Sequence, residues 1–229
     1  MTKREHTRQQ ILDTALRLFR DNGFDGTSMR EIAAAAGLSL GAAYYHFDSK
    51  EALVAAWYAD IQARHEELVA RGLALEEAGD LAARVGLVLK SKLGLIRQDR
   101  RFLSALFRYA AEPDHPLSVF SPATAQVREA AKKTLRAAIC GQVSDPAVED
   151  AIVDALWLGH LGLLLVALHD RGDGLIRATR LADLMADTTQ TVARFGDTPM
   201  GAAMIRGIRE RVQAAMAEQS ADGPGQGQP

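Results

Sequence analysis

The chain has 229 residues, of which 48% are hydrophobic and 24% charged, and its formal net charge is −2. This size fits one large domain or two modest ones with a packed core. The near-neutral charge excludes a polycation that holds nucleic acid by bulk attraction, so any such contact has to come from a local arrangement. The single cysteine, Cys140, excludes an internal disulfide and favours a reducing compartment.

The chain ends are polar. The start, MTKREHTRQQ, has no apolar signal segment, and the composition of residues 219–229 predicts a disordered tail. The longest apolar run, Ala155 to Leu168, contains His160 and is too short to span a bilayer, which favours a buried helix. These features predict a cytoplasmic protein that makes no membrane contact.

Apolar residues recur with a period of 3.6 along the first third of the chain, whereas a convincing period of two is absent from the sequence. The first helix carries an apolar stripe from Ile11 to Phe19, opens at a possible capping box of Thr7 and Gln10, and ends at Asn22-Gly23. Three further helices are predicted over Ser28–Gly37, Ser39–Phe47 and from Asp48 or Ser49 to Arg71. In the second of the four helices, Glu31 follows Ser28 at the capping-box spacing.

The remaining two thirds predict longer helices. A proline-rich connector, EPDHPLSVFSP, is expected to be irregular or to contain a single turn. The predicted helices are Asp80–Arg97, Arg100–Glu112, Ser121–Ala138, Asp145–Asp170 with Pro146 at its first position, Leu175–Phe195, and an amphipathic helix over Met200–Met216. The last of these either extends a dimer contact or covers the apolar body, and the sequence favours neither. The whole pattern predicts an all-α fold.

Gly37, Leu38 and Ser39 join the second and third helices in the manner of a helix-turn-helix, whose second helix enters the DNA major groove. Within GLSLGAAYYHFDSKEAL, the small side chains of Gly41 and Ala42 let the backbone approach base edges. The polar tips of Tyr44, Tyr45 and His46 can reach phosphate oxygens, Phe47 is expected to anchor the core, and Lys50 at the next helix N-terminus suits a phosphate.

Each of these residues also has a simpler interpretation. Aromatic residues such as Tyr44, Tyr45 and Phe47 are commonly buried in a hydrophobic core. A single histidine such as His46 is more often structural, and a single lysine such as Lys50 is usually a solvated charge. Their joint spacing behind a helix-turn-helix favours DNA contact.

Residues from about Thr7 to Trp57 resemble the DNA-binding domain of the TetR (tetracycline-repressor) family of transcriptional regulators. The resemblance is carried by ILDTALRLFRDNGFDGTSMREIAAAAGLS and YYHFDSKEAL. It implies an all-α homodimer with an N-terminal helix-turn-helix domain (1–50) and a larger helical ligand-binding and dimerisation domain (51–218). It also implies a repressor that binds palindromic double-stranded DNA and is released by an effector.

By position, the resemblance implies a set of DNA-contacting residues. Arg30 stands where some members reach a base edge, although a plain surface arginine is the alternative. The set comprises Thr27 or Ser28 on phosphate, Arg30, Ser39, Leu40, Gly41 and Ala42 on the base-facing side, and Tyr44, Tyr45, His46 and Lys50 on the DNA backbone.

Two positions depart from the family pattern and predict sparse base readout. Leu40 replaces a residue that is commonly polar or basic, and Ala43 replaces a larger apolar one. More of the specificity then falls to Arg30 and DNA shape. Residues 1–50 hold seven Lys and Arg against six Asp and Glu, and Lys3, Arg4 and Arg8 either add local positive charge or form a solvated end.

The two most apolar helices, Asp145–Asp170 and Leu175–Phe195, lie where the family builds its dimer interface. Gly159 and Gly162 either permit close helix approach there or are tolerated in a packed core. An apolar effector cavity has many candidate residues, which serve equally well as ordinary core. They are Phe102, Leu106, Phe107, Tyr109, Phe120, Trp157, His160, Leu161, Leu164 and His169, with Trp157 and His160 as the first expected contacts.

The scarcity of Lys and Arg among these candidates predicts a small, neutral or weakly polar hydrophobic effector. No cofactor or metal is expected, because the sequence has no phosphate-binding glycine loop and no metal-type Cys/His cluster. An enzyme is disfavoured because no nucleophile elbow or acid/base pair is evident. A helical protein-interaction adaptor is the alternative, but it leaves the aromatic third helix unexplained.

Overall fold

A computed structural model describes residues 2–75, 79–172 and 174–218, and within these ranges the chain forms α-helices, two short 3₁₀ turns and no strand. The predicted all-α fold is confirmed. The predicted tail, 219–229, lies outside the described residues. The helices are α1 Lys3–Asn22, α2 Met29–Ala35, α3 Leu40–His46, α4 Lys50–Leu75, α5 Leu81–Ile96, α6 Arg100–Ala110, α7 Ala125–Ile139, α8 Pro146–Leu168, α9 Ile176–Gly196 and α10 Pro199–Glu218.

The first helix starts one turn earlier than predicted. Thr2 and Glu5 form the complete capping box, so α1 begins at Lys3. Thr7, the predicted cap, lies inside the helix and donates its hydroxyl to the Lys3 carbonyl at 3.0 Å. The predicted end holds, because the Gly23 N–H bonds to the Phe19 carbonyl just after Asn22.

Helices α1–α3 form the amino-terminal head. Its core contains Ile11, Phe19, Ile32 and Phe47, each no more than 3% exposed. Ser28 and Glu31 form the predicted capping box of α2.

The turn between α2 and α3 depends on a glycine. Gly37 has φ +69°, a left-handed conformation that other residues adopt only with strain. The Leu38 N–H then bonds to the Ala33 carbonyl at 2.9 Å, which closes the end of α2. Ser39 follows at once as the N-cap of α3, which gives the tight turn of a helix-turn-helix.

Helices α4–α10 form the body. Helix α5 runs through its centre, where it packs against α4, α7 and α9, while α8 packs against α7, α9 and α10. Asp145 caps α8 as predicted, Asp80, the predicted start of a helix, is the N-cap of α5, and a 3₁₀ turn over Pro122–Thr124 precedes α7.

Helix α8 corrects the expectation drawn from its apolar run. It has 23 residues because Pro146 starts it nine residues before Ala155, and in the described part of the chain it is the one helix long and apolar enough to cross a membrane by length and composition. One side of the helix packs inside the body, where Val148, Val153 and Leu163 are almost completely buried. The other side carries exposed apolar residues, among them Leu158 and Leu165, so burial in the body accounts for only part of its apolar character.

Candidate functional site

The outward side of α3 carries small and aromatic residues together. Gly41 is exposed, and a Cβ built there would meet no atom within 4 Å. Tyr44 and Tyr45 are 49% and 69% exposed, whereas Phe47 is buried as the predicted core anchor. The burial therefore contradicts the core interpretation of the two tyrosines and leaves their rings and hydroxyls available to a partner.

Two arginines of α1 lie beside α3. The Arg4 guanidinium carbon is 5.5 Å from the centroid of the Tyr45 ring, and that of Arg8 is 4.5 Å from the Phe47 ring. Stacking on these rings holds both cations next to the exposed face of α3. The sequence had left Arg4 and Arg8 undecided because α1 was expected to start beyond Arg4.

The ammonium of Lys50 turns back into the head. Lys50 is half-buried, its Nζ donates to the Phe24 carbonyl at 2.8 Å, and it lies 4.5 Å from the Phe24 ring centroid. The predicted position at the start of α4 is correct, but the charge is engaged within the protein. Lys50 thus braces the turn between α1 and α2, and its predicted phosphate contact stays a prediction.

Thr27 is placed differently from expectation. Its side chain is 1% exposed, and its hydroxyl lies 2.9 Å from the Gly23 carbonyl, to which it donates. A side chain so enclosed cannot reach a phosphate, which corrects the suggested contact. Ser28 is exposed, but its hydroxyl is committed to the capping box with Glu31.

The other predicted contacts divide by exposure. Arg30 and Ser39 are exposed, Ser39 accepting from the Ala42 N–H at 3.2 Å. Leu40 is partly buried against the core, so its expected base contact is at most partial. Ala42 and His46 are half-buried, and the His46 ring stands edge-on to that of Tyr45 at 5.3 Å.

Residues 11–57 match the sequence model described as bacterial regulatory proteins, tetR family. The HTH-type transcriptional repressor KstR2 of Rhodococcus jostii is 41% identical over 70 residues, which cover 29% of this chain and 34% of that protein. Residues 11–57 therefore carry the sequence of a TetR-type DNA-binding head. The match covers about a third of KstR2, and the family model covers the head together with the start of α4.

The TetR fold extends through the body. The crystal structure of a tetR-family transcriptional regulator from Streptomyces coelicolor superposes with a TM-score of 0.60 at 24% identity, over 98% of this chain and 94% of that one. The multidrug binding protein EbrR, complexed with ethidium, gives a TM-score of 0.54 at 28% identity, over 78% and 97%.

The junction of the TetR head and body uses two of the expected effector contacts. The ring of Phe102 lies 5.6 Å from that of Phe19 and 5.2 Å from that of Trp57. The Tyr109 hydroxyl donates to Asp25 at 2.6 Å, and Arg108 pairs with the same carboxylate. These two bonds lower the pKa of Asp25. Phe102 and Tyr109 therefore join the two domains.

An open apolar groove of about 570 Å³ lies between α8, α9 and α10, and none of the expected effector contacts lines it. Helix α9 lines this groove with Leu181, Leu184, Met185, Thr188, Thr189 and Val192. Exposed or half-buried apolar residues that line it are Leu158, Leu181, Leu184, Met185, Val192, Ile205, Ile208 and Val212. At Gly159 a Cβ would lie 2.8 Å from the methyl carbon of the flexible Met185 side chain, which would have to shift, whereas Gly162 faces open space.

The remaining expected contacts lie mainly in or near the core. Phe120, at 60% exposed, stands edge-on to the Trp157 ring at 5.8 Å, and His169 is exposed at the end of α8. Leu106, Trp157 and His160 are buried, while Phe107, Leu161 and Leu164 are half-buried.

Five buried polar residues form what we call the interior polar cluster, between α4, α5, α7 and α8: Gln62, His65, Lys92, Thr134 and His160. The Lys92 Nζ donates to the Gln62 Oε1 at 2.8 Å, and the Gln62 amide donates to the Thr134 hydroxyl at 2.9 Å. The Nε2 of His65 lies 2.9 Å from the Val88 carbonyl. Sequence reasoning singled out only His160, because the other four come from three separate helices.

The cluster carries unsatisfied polar atoms. Among the described residues, both ring nitrogens of His160 and the Nδ1 of His65 have no hydrogen-bond partner. Each such buried atom costs about 1–3 kcal/mol. Burial lowers the pKa of His160 to about 3 and of His65 to about 4, with the positive charge of Lys92 adding to both effects.

Lys92 is a buried cation. Burial lowers its pKa to about 8, although the Glu66 carboxylate acts in the opposite direction. A charged group left in the interior without an ion pair is destabilising, and such groups occur most often where a site binds something.

Proposed function

We propose that the protein is a transcriptional regulator that binds a palindromic operator in double-stranded DNA as a homodimer. The exposed face of α3, with Gly41 and Tyr45 flanked by the arginines of α1, is the observation that carries this proposal. In this reading the head (1–50) reads DNA and the body (51–218) dimerises and senses an effector. A regulator of chromosomal genes works in the cytoplasm.

Contacts to the DNA divide into two kinds. Tyr44, Tyr45, Arg4 and Arg8 are suited to phosphate, because hydroxyls and guanidinium groups fix the position of a protein on the duplex. Gly41 and Ala42 let the helix backbone reach base edges, and the exposed Arg30 suits a bidentate contact to guanine. His46 and Lys50 act through their neighbours, the first by supporting Tyr45 and the second by bracing Phe24.

The apolar groove supports dimerisation. Exposed leucine, valine and isoleucine side chains from three helices are unusual on a monomer surface and suit a self-complementary contact. Helix α10 supplies Ile208 and Val212 to this face, so it extends the interface.

We further infer that an effector releases the repressor from DNA. KstR2 is named as a repressor and EbrR was crystallised with ethidium, which supports this inference for a chain of the same family. An effector in the body shifts the population toward dimers whose heads are misplaced for successive major grooves. The contacts of Asp25 with Arg108 and Tyr109, and of Arg20 with Asp99, provide the mechanical link.

A gel-shift titration tests the DNA-binding part. We expect the protein to bind a two-fold symmetric duplex specifically, and Tyr45→Phe to weaken binding about tenfold, since a hydrogen bond to a charged group contributes about 1.5 kcal/mol or more. Tyr58→Phe, on α4 of the body, serves as the hydroxyl-deletion control. Full affinity in Tyr45→Phe would remove Tyr45 from the interface, and failure to bind any duplex specifically would overturn the function.

A further inference from the structure

The interior polar cluster contains hydrogen-bonding capacity that the protein itself does not use. Lys92 is 7% exposed, makes no ion pair with a described residue, and donates one hydrogen bond within the described part of the chain, to Gln62. An ammonium has three donors, so two N–H groups remain. His160 is 9% exposed and neither of its ring nitrogens has a partner among the described residues.

The tautomer of His65 follows from its neighbours. Its Nε2 lies 2.9 Å from the Val88 carbonyl and 3.1 Å from the Ser91 hydroxyl, which donates its own proton to that carbonyl. The proton of the ring therefore sits on Nε2, and Nδ1 presents a lone pair. Nδ1 has no partner in the described part of the chain. The cluster therefore offers an ammonium, one neutral imidazole that donates and accepts, and one further acceptor.

We propose that the effector is an apolar monocarboxylic acid whose carboxylate lies between the Lys92 ammonium and the His160 ring. This inference rests on the proposed function, because it assigns the ligand class of the effector site in the body. A carboxylate supplies the negative charge that Lys92 lacks and accepts the N–H of His160, which satisfies both groups at once.

The residues around the cluster indicate the chemistry of the effector beyond its carboxylate. The helices of the cluster contribute buried apolar side chains on every side, including Val88, Leu89, Leu135 and Leu163. One ammonium beside neutral imidazoles matches a single negative charge, whereas a polyphosphate needs several cations. This assignment replaces the neutral effector predicted from the scarcity of basic residues, because a single buried lysine from α5 supplies the charge.

Glu66 is the competing partner. It is half-buried, accepts from the Gln62 amide at 3.3 Å, and its charge favours the protonated form of Lys92. Gln62 accepts a hydrogen bond from Lys92 and donates one to Glu66, so the Glu66 carboxylate acts on the Lys92 charge without a direct contact. The remaining N–H donors of Lys92 stay unused.

Calorimetric titration with matched probes tests the assignment. Octanoate and 3-phenylpropionate are each compared with their primary amides, which keep the shape but lose the charge. We expect the wild-type protein to bind at least one acid at least tenfold more tightly than its amide at pH 7. Lys92→Met abolishes this preference, while Lys90→Met, on the exposed side of the same helix and paired with Asp183, retains it. Absence of any acid-over-amide preference in the wild type overturns the proposal.

A second readout needs no ligand. If Lys92 is held for a ligand, Lys92→Met removes a buried charge that has no direct ion pair and raises the melting temperature of the free protein by about 5 °C. If Lys92 is instead a structural member of the Gln62–Glu66 network, the same variant melts at a lower temperature than the wild type or does not fold. Either result overturns the proposal.

The two proposals fail separately. DNA binding without any added acid decides the regulatory function, while the acid-over-amide ratio on the DNA-free protein decides the ligand class. Loss of DNA binding on addition of the acid, but not of the amide, supports both. An acid that binds without affecting DNA binding overturns the assignment of this cluster as the effector site and leaves the DNA-binding function standing.

Discussion

At the scale of single residues, the site on α3 depends on residues that do not contribute to the stability of the fold. Gly41 is the second residue of α3, and glycine within a helix is less favourable than alanine by up to about 0.5–1 kcal/mol, yet no neighbouring atom requires it to be small. Tyr45 is the more exposed of two adjacent tyrosines, although its ring is large enough to contribute to a core. Contact with an external partner explains both choices.

Gly41→Ala separates stability from binding. We expect the free energy of unfolding to rise by about 0.5–1 kcal/mol, because alanine is the better helix former. DNA affinity should fall about tenfold, because the added methyl group holds the helix away from the base edges. Thermal melting and gel-shift titration measure the two effects.

The matched control is Gly94→Ala in α5. Gly94 is also an exposed helical glycine whose Cβ would meet no atom within 4 Å. It should gain the same stability and keep wild-type DNA affinity. Equal DNA affinities for the two variants would contradict the close approach of α3.

The buried histidines predict acid sensitivity. The pKa of His160 is lowered to about 3 and that of His65 to about 4, so between pH 6.5 and about 4 the unfolded chain binds more protons than the folded one. Stability therefore falls as the pH drops through this window, by about 2 kcal/mol per histidine at pH 5. His160→Leu should reduce the loss between pH 7 and pH 5 by that amount, as measured by urea unfolding.

His169→Gln supplies the comparison, because His169 is an exposed histidine at the end of α8. It should retain the acid sensitivity of the wild type. An unchanged difference between pH 7 and pH 5 in His160→Leu would show that this ring does not resist protonation in the folded state.

At the scale of elements, the sequence located helices well where the signal was local. Ser28 with Glu31, Ser39, Asp80 and Asp145 each cap the helix expected of them, because a cap depends on only a few neighbouring residues. The start of α1 was misplaced because two capping patterns overlap, and the outer one, from Thr2, forms the complete box.

Contacts between distant elements could not be predicted in the same way. Lys50 was expected to point outward, but the Phe24 carbonyl, 26 residues earlier in the chain, holds its ammonium. Phe102 was left open between an effector cavity and the core, because its role depends on Phe19 and Trp57, which come from two other helices. The interior polar cluster likewise forms only when α4, α5, α7 and α8 meet.

The outer faces of α8, α9 and α10 predict the dimer contact. Leu184 lines the groove and is 62% exposed. Leu184→Asp places a charge that would be desolvated and unpaired in the interface, so we expect it to convert the dimer to a monomer at micromolar concentration. Sedimentation equilibrium measures the change, and DNA affinity should fall with it because a monomer binds only one half-site.

Ile176→Asp is the control for the same helix. Ile176 is exposed near the start of α9 but does not line the groove. It should remain dimeric. A dimer that withstands Leu184→Asp, or a wild-type protein that is monomeric, would exclude this face as the interface.

At the scale of the whole molecule, the regulator couples a small head to a larger body through few contacts. Asp25 binds Arg108 and Tyr109 of α6, and Arg20 of α1 binds Asp99 at 2.6 Å just before α6. Helix α6 also packs against α8, which carries His160 of the interior polar cluster. These contacts are the route by which the proposed effector would act on the head.

The whole molecule also determines how DNA binding responds to salt. With a formal net charge of −2, the chain cannot attract DNA by its bulk charge. The attraction has to come from local cations such as Arg4 and Arg8 beside α3. Each phosphate contact that is lost should therefore reduce the slope of log affinity against log salt concentration by about one.

The most direct test of DNA binding through α3 is selection of duplexes from a random pool by the wild-type protein, followed by titration of the selected duplex at several salt concentrations. We predict a two-fold symmetric consensus with half-sites about one helical turn apart. We also predict that the slope of log affinity against log salt is shallower in Arg4→Gln than in the wild type. Enrichment of no sequence, or a wild-type affinity that does not change with salt, would contradict the account.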